Sequence, residues 1–251
     1  MKRAKTISII VAAIFGVSLL FSCFMLSIVK SVKVNYMVTE TADISDLAES
    51  IDTIRNKSLL FLTEKDVNNV IDGFPYFYMS EKPKKSFPNT VTFTIKERKE
   101  VYKLTINDNW YLLDKDGILL SKNSEQKQKC TLIDVDFDGI EITEEVLGKK
   151  LSTTANEIFD IFLNMTESIS LTDNVKNMTV VSEPEKNDVI YETYTGVKIE
   201  IWDIENLGNE KAIAAFKSYN EVADDYYKSF DKIIVSVVNG EIDVKWTERS
   251  K

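Results

Sequence analysis

A stretch without any charged residue, Ile7 to Val29, constrains this chain more than any other feature of its sequence. As a helix rising about 1.5 Å per residue it reaches roughly 35 Å, more than the roughly 30 Å of a bilayer's hydrocarbon core. It therefore predicts one transmembrane helix, residues 7–29. A short basic tail, residues 1–6, precedes it, and positive charge before a span favours a cytoplasmic N-terminus. We expect the bulk of the chain outside the cytoplasm.

Two other interpretations of this segment stay open. A secretory signal peptide also joins a basic start to an apolar run, although its run is usually shorter and no small-residue cleavage site follows here. Residues 20–23, which end at Cys23, resemble a bacterial lipoprotein box, although the bulky Phe21 fits the small-residue position badly. The other cysteine, Cys130, lies in the exported part, so we expect no disulfide with a membrane-embedded Cys23.

Composition narrows the function of the exported part. The 251 residues include no histidine, which removes histidine-based acid–base catalysis and most zinc sites. No glycine-rich phosphate loop or G-x-S-x-G elbow occurs. A net charge of −9 disfavours nucleic acid or anionic lipid as the main partner. We therefore expect a protein-binding module that is not an enzyme and uses no cofactor or small-molecule substrate. A hydrolase built on two carboxylates is the alternative, since the chain has 40 acidic residues.

Hydrophobic periodicity predicts a small α+β domain after the apolar stretch. Residues 34–38 alternate as a strand, and apolar residues three to four positions apart predict a helix over residues 44–54. Thr63 with Asp66 predicts the capped start of a second helix, which Gly73 ends. Two further strands follow, and their order predicts helices on one face of a three-stranded sheet.

The second half predicts β structure with packed helices. Apolar stripes indicate amphipathic helices over residues 151–165 and 212–230. Strands are predicted at residues 189–194 and 197–202. Asn239-Gly240 is the strongest hairpin signal in the chain, because both residues tolerate the left-handed conformations of a two-residue turn between strands.

Several motifs, taken in order, resemble those of the FtsQ/DivIB cell-division family. Residues 57–62, 74–76, 85–91 and 95–98 resemble its POTRA domain, and residues 110–119 resemble the opening hairpin of its second, β domain. The residues that carry the POTRA resemblance are Phe74, Pro75, Phe87, Pro88, Glu97 and Arg98. The turn of the β-domain hairpin carries Asp114 and Gly117.

The resemblance implies an architecture and a function. The architecture is α+β, with a single transmembrane helix, a small POTRA-type domain and a β-rich domain with packed helices. Its segments are a cytoplasmic tail at 1–6, the membrane helix at 7–29, a POTRA-type domain at 33–100, a β domain at 101–246 and a C-terminal tail at 247–251. The implied function is a scaffold in the bacterial cell membrane at the division septum. It binds single-pass division proteins of the FtsL and FtsB/DivIC type and helps couple their assembly to septal cell-wall synthesis. The alternative is an anchored or lipidated cell-envelope binding module or enzyme unrelated to division.

The last hairpin is the candidate partner-binding element. Aromatic residues dominate binding hot spots, and a strand at a sheet edge offers unpaired backbone groups to a partner strand. The candidate residues are Tyr226, Ile233, Val235, Ile242, Val244 and Trp246.

An acidic motif has the spacing of a calcium-binding EF-hand loop. Its four ligand positions are Asp134, Asp136, Asp138 and Glu145. An EF-hand also needs flanking helices, and no helical stripe precedes this loop. The competing interpretation is a strand over residues 132–142, with acidic and apolar residues alternating and Gly139 as a bend.

Overall fold

The computed structural model describes residues 2–39, 42–106, 109–167, 169, 174–183, 186–222 and 229–249. Within them the chain is a mixed α+β protein, as the sequence predicts. It divides into two units, Met1–Arg98 and Lys99–Lys251.

The chain begins with the helix α1 (Lys2–Leu26), whose side chains are described from Val11 onward. Those side chains are exposed and mainly apolar. No helix in the described part of the chain combines the length and the apolar character that crossing a membrane requires. The helix ends three residues before Val29, which is fully buried in the core of the first unit.

The rest of the first unit is a sheet covered by two short helices. Its elements are β1 (Ser31–Met37), α2 (Ser45–Asp52), α3 (Glu64–Ile71), β2 (Phe77–Met79), β3 (Lys84–Ser86) and β4 (Thr90–Glu97). Strand β4 is central, since it pairs with β1 in parallel and with β2 and β3 in antiparallel. The sheet therefore has four described strands where the sequence predicts three, because the short, exposed β3 carries no apolar pattern.

Local sequence explains the start of α3. The Thr63 hydroxyl accepts a hydrogen bond from the Asp66 backbone N–H at 3.2 Å, and the Asp66 carboxylate accepts one from the Thr63 N–H at 2.7 Å. The predicted capping box is confirmed. The hydrogen bonds from Thr63 lower the pKa of the Asp66 carboxyl. Both helices then pack on the sheet through one core, which includes Leu47, Ile51, Val67, Ile71, Val91, Phe93 and Ile95.

In its described residues, the second unit has a nine-stranded mixed sheet and two helices. Its elements are β5 (Tyr102–Ile106), β6 (Asn109–Leu113), β7 (Leu119–Lys122), β8 (Ile133–Asp138), β9 (Ile142–Glu144), β10 (Ser152–Thr153), α4 (Asn156–Glu167), β11 (Val175–Glu183), β12 (Lys186–Thr193), β13 (Lys198–Ile201), α5 (Gly208–Asn220), β14 (Phe230–Val238) and β15 (Glu241–Glu248). The strand order is β15-β14-β13-β12-β11-β8-β5-β6-β7, and β9 pairs with β10 apart from it. The core includes Phe159, Phe162, Tyr191, Phe216, Ile233 and Val235.

Two predicted helices are shorter in the structure. Leu151 lies before α4, which begins only at Asn156, whose side-chain oxygen accepts a hydrogen bond from the Thr153 N–H at 2.7 Å. Phe230 continues the helical spacing of α5 but is the first residue of β14, so its assignment to the helix is wrong. Its ring lies against Trp246 on the neighbouring strand, so its position in the apolar stripe does not come from a helix.

A buried lysine ties α5 to the loop that precedes it. Lys211 is fully buried, and its ammonium donates hydrogen bonds of 2.5 Å to the backbone carbonyls of Trp202 and Asp203. The Asp188 carboxylate accepts a hydrogen bond from the Asp203 N–H at 3.0 Å. Burial lowers the pKa of Lys211, and the carboxylates of Asp203 and Asp188 oppose that shift.

We predict that Lys211→Met lowers the free energy of unfolding by about 2 to 5 kcal/mol, because two carbonyls lose a charged donor. Lys217→Met on the exposed face of the same helix is the matched control, with an expected change within about 0.5 kcal/mol. Urea unfolding of both variants measures the difference. Equal stabilities would show that the Lys211 ammonium does not hold this loop.

Candidate partner-binding surface

The last two strands form a tight hairpin. Asn239 and Gly240 have φ angles of 54° and 84°, so both turn residues adopt the left-handed conformation that a type I′ turn requires. The register pairs Val238 with Glu241 next to the turn. The hairpin predicted from this dipeptide is confirmed.

β15 is the outermost strand on its side of the nine-stranded sheet. In a two-residue hairpin the pair beside the turn exchanges backbone hydrogen bonds, and bonded pairs then alternate along the strands. Glu241 and the odd-numbered residues after it therefore direct their N–H and C=O groups toward β14. At the far end, the Arg249 N–H donates to the Ser229 carbonyl at 2.9 Å, which agrees with that alternation.

The intervening residues of β15 direct their backbone groups away from the sheet. They are Ile242, Val244, Trp246 and Glu248. No described strand pairs with that side of β15. The edge therefore offers a row of N–H donors and C=O acceptors in the spacing of a β-ladder.

The side chains of Ile242, Val244 and Trp246 are half-buried and pack against the core of the second unit. The indole N–H of Trp246 donates a hydrogen bond to the hydroxyl of Ser218 on α5 at 2.9 Å. Its ring meets that of Phe230 edge-on, with centroids 4.8 Å apart. Trp246 thus fixes the edge strand to the helix and keeps part of its surface exposed.

The other candidates lie elsewhere. Ile233 and Val235 are fully buried in β14, where they pair with Trp246 and Val244. Tyr226 lies outside the described residues. The side chains that the structure brings together at the edge are therefore those of Ile242, Val244 and Trp246.

At the opposite edge of the sheet, the start of β7 is bonded to a neighbouring segment. Leu119 in β7 donates its N–H to the Lys149 carbonyl at 2.9 Å and accepts from the Gly148 N–H at 2.8 Å. Ile118, next to it, forms a bridge with Lys150. The two ends of the sheet therefore differ in how their backbone groups are satisfied.

The turn residues Asp114 and Gly117 connect β6 and β7, beside this edge. The buried Asp114 carboxylate accepts hydrogen bonds from the N–H groups of Asp116 and Ile118 at 2.9 and 2.8 Å. Gly117 has a φ of 76°, and a Cβ there would lie 2.7 Å from a methyl group of Leu163. Both residues shape the turn.

Four residues of the POTRA-like motif lie at the two ends of β4, and the other two lie before β2. Phe87 and Pro88 are exposed just before β4, whereas Glu97 is its last residue and Arg98 follows it. The Glu97 carboxylate accepts hydrogen bonds from the Thr39 N–H and hydroxyl at 2.8 and 2.9 Å, and the Arg98 guanidinium lies over the Tyr78 ring. Phe74 packs against the core of the first unit, and Pro75 is half-buried after it.

The acidic motif lies on a strand. Asp134, Asp136 and Asp138 alternate on the exposed face of β8, and Glu145 forms an ion pair with Lys122. Within the described residues, no group of three or more acidic, histidine or cysteine side chains is placed to hold a metal ion. Gly139 ends β8 with a φ of 73°, and a Cβ there would overlap the Ser182 carbonyl oxygen. Close packing against β11 explains the glycine of the motif.

Comparison with known proteins finds similarity to the cell division protein DivIB of several clostridia. The chain is 25% identical over 150 residues to the cell division protein DivIB of Clostridium tetani, which covers 60% of this chain and 55% of that protein. It is 25% identical over 158 residues to DivIB of Clostridium botulinum, covering 60% and 57% of the two chains. DivIB of Clostridium acetobutylicum is 24% identical over 98 residues, covering 39% and 37%. No protein-family model matches the chain.

The predicted resemblance to the FtsQ/DivIB family is confirmed. The similarity to DivIB is distant, and the chain spans about half the length, or less, of the relatives it matches. The sequence of this DivIB-like chain did not predict Ser218 as part of the candidate surface. A serine within an amphipathic helix gives no sign that it accepts a hydrogen bond from a tryptophan on a distant strand.

We predict that Gly139→Ala destabilises the second unit by at least about 2 kcal/mol, because the left-handed conformation and the overlap with a carbonyl oxygen both oppose a Cβ. Gly240→Ala is the matched control. Gly240 has a φ of 84°, and nothing lies within 4 Å of the position that a Cβ would take, so only the conformational cost applies. Thermal unfolding measures the loss of stability in both variants. The same measurement with millimolar calcium tests whether the acidic motif binds the ion. A calcium-dependent rise in the melting temperature of the wild-type chain would contradict the structural role given to the acidic motif.

Proposed function

We propose that the chain is a non-enzymatic scaffold of the bacterial division machinery, fixed to the cell membrane with its bulk outside the cytoplasm. It binds single-pass division proteins of the FtsL and FtsB/DivIC type and helps couple their assembly to septal cell-wall synthesis. The similarity to DivIB supports the role in cell division. The observation that carries the binding role is the outer edge of β15, with which no described strand pairs.

In this role, α1 is the membrane anchor. Large apolar side chains are exposed along its described part, among them Ile14, Phe15 and Leu20, and such a surface is unfavourable in water. The sequence continues this apolar character back to Ile7. Residues 7–26 make a helix of about 30 Å, the thickness of a bilayer's hydrocarbon core. The basic tail before Ile7 favours a cytoplasmic N-terminus.

The partner binds by adding a strand to β15. The outward N–H and C=O groups of Ile242, Val244 and Trp246 supply the ladder, and the exposed parts of their side chains supply specificity. Confinement of both proteins to one membrane raises their effective concentration, so a modest interface suffices.

We predict that Val244→Pro weakens binding of a DivIC-type partner by at least about tenfold, because the proline removes an outward donor and its ring obstructs the added strand. The domain stays folded, since the Val244 N–H makes no bond to β14. Lys245→Pro is the contrasting variant, because it removes a donor of the β14–β15 ladder and destabilises the fold. Circular dichroism and binding of the purified, detergent-solubilised proteins check both. A folded Val244→Pro variant with unchanged binding would exclude this edge.

We predict that the chain with a fluorescent protein at its N-terminus forms a band at midcell when cells of the source organism constrict. Val244→Pro in the same fusion should reduce the band without lowering the amount of intact protein, which an immunoblot checks. An even membrane signal from the intact wild-type fusion in dividing cells would contradict the division role and leave the binding edge without this partner.

A further inference from the structure

α1 joins the first unit without a linker. Directly after the helix, the backbone of Ser27 and Val29 bonds to the segment after α2. The Leu59 N–H donates to the Ser27 carbonyl at 2.6 Å, and the Val29 N–H donates to the Lys57 carbonyl at 2.9 Å. Ser27 and Val29 are fully buried. The position of the helix end is therefore fixed relative to the residues around it.

Two loops lie at the end of the unit where α1 enters. β1 and β4 run parallel with Ser31 opposite Thr90, so the turn before β4 lies beside the start of β1. The N–H groups of Lys30 and Ser31 donate to the Asn89 carbonyl at 3.0 and 3.2 Å. The Lys85 ammonium donates to the Leu60 carbonyl at 3.3 Å, which joins the loop after α2 to the same end.

Both loops expose large apolar side chains. Leu60, Phe61 and Phe87 are 55%, 72% and 66% exposed. The Phe61 ring lies against Phe24 in the last turn of α1, with centroids 6.3 Å apart. The apolar surface of the helix therefore continues onto the folded unit instead of ending at Leu26.

The charges at this end are opposite to those of the whole chain. Residues 27–39, 53–63 and 82–96 contain no aspartate or glutamate, although the chain carries a net charge of −9. Lys30, Lys57 and Lys85 are exposed there. Because salt screens charges beyond about 8 to 10 Å, a nearby surface experiences these lysines, and the Asp66 carboxylate that interacts with Lys57, more than carboxylates elsewhere on the chain.

We propose that this end of the first unit, with Leu60, Phe61, Phe87, Lys30, Lys57 and Lys85, is a membrane-docking surface for a bilayer that contains anionic phospholipid. The two phenylalanines and Leu60 enter the interfacial region beside α1, and the lysines contact the lipid phosphates. Docking holds the first unit against the membrane in one orientation. The inference rests on the proposed anchoring by α1.

Spin labels on the full-length chain in lipid nanodiscs test this surface. In a Cys23→Ser, Cys130→Ser background, nitroxide is attached at Phe61→Cys or at Gly73→Cys, with discs of phosphatidylglycerol and phosphatidylcholine. Gly73 is the control, since nothing lies within 4 Å of an added Cβ. It precedes β2, whose first residue pairs with Glu97 at the other end of β4, about 25 Å away. A third sample labels the native Cys23 in α1, with Cys130→Ser.

Collisions with oxygen, which concentrates in lipid, and with a water-soluble nickel chelate report where each label lies. We expect oxygen to dominate at positions 23 and 61 and the nickel chelate at 73. A nickel-dominated label at 61 beside a lipid-exposed label at 23 would overturn the docking surface and leave the anchor standing. A nickel-dominated label at 23 would overturn the anchor and this inference with it. Lipid exposure at both 61 and 73 would overturn the assignment to this end.

The lysines have their own test. In discs of phosphatidylcholine alone, the label at position 61 should lie shallower, with a lower ratio of oxygen to nickel collisions. An unchanged ratio would overturn the part of the proposal that assigns lipid phosphates to Lys30, Lys57 and Lys85.

Discussion

An open β-sheet leaves unpaired backbone groups along its two outer strands, and the second unit depends on how it satisfies them. At one end, Gly148 and Lys149 bond to Leu119, the first residue of β7. At the other end, β15 completes the ladder with β14 and directs the backbone of Val244 outward. Glu241, Asp243 and Lys245 in β15 lie on the face of the sheet away from its core, where they do not block the approach of another strand in the plane of the sheet. An uncovered edge of this length invites pairing, which is a hazard for a free protein and a means of recognition for a scaffold.

The first unit follows a different constraint, which is the attachment of α1. A flexible linker would let the unit turn freely at the membrane surface. Here Ser27 and Val29 are already part of the fold, and Phe24 contacts Phe61 beyond the helix end. The exposure of Leu60 and Phe87 is costly in water and favourable in a lipid interface. The proposed anchoring by α1 would explain both the missing linker and the apolar loops.

Features that depend on neighbouring residues could be predicted from the sequence. Thr63 with Asp66 specifies a helix start, and Asn239-Gly240 specifies a hairpin, because the hydrogen bonds and backbone angles involved are local. Features that depend on distant pairing could not. β11 sits between β8 and β12, and its residues, 175–183, alternate too weakly to indicate a strand that is buried among neighbours on both sides.

The candidate surface also combines features that neighbouring residues determine with features that distant strand pairing determines. The turn residues alone predict the last hairpin. Strand order, which depends on distant pairing, decides that Ile233 and Val235 face the core and that β15 forms the edge. The calcium-like spacing of the acidic motif is a local pattern whose cause lies in distant packing. Asp134, Asp136 and Asp138 alternate because β8 has one exposed face, and Gly139 is small because the Ser182 carbonyl leaves no room for a Cβ.

If α1 is the membrane anchor and β15 is the binding edge, a small interface can be sufficient. The outward residues of β15 are four, so an added strand gains few hydrogen bonds, each worth about 0.5 to 1.5 kcal/mol net. Ordering the partner's backbone opposes that gain by about 1 to 2 kcal/mol for each residue fixed. Such an interface is weak between proteins that diffuse freely in solution. When both proteins are held in one membrane, much of the translational and rotational entropy lost on association has already been lost on anchoring, so the same strand pairing costs less free energy than it does between freely diffusing proteins.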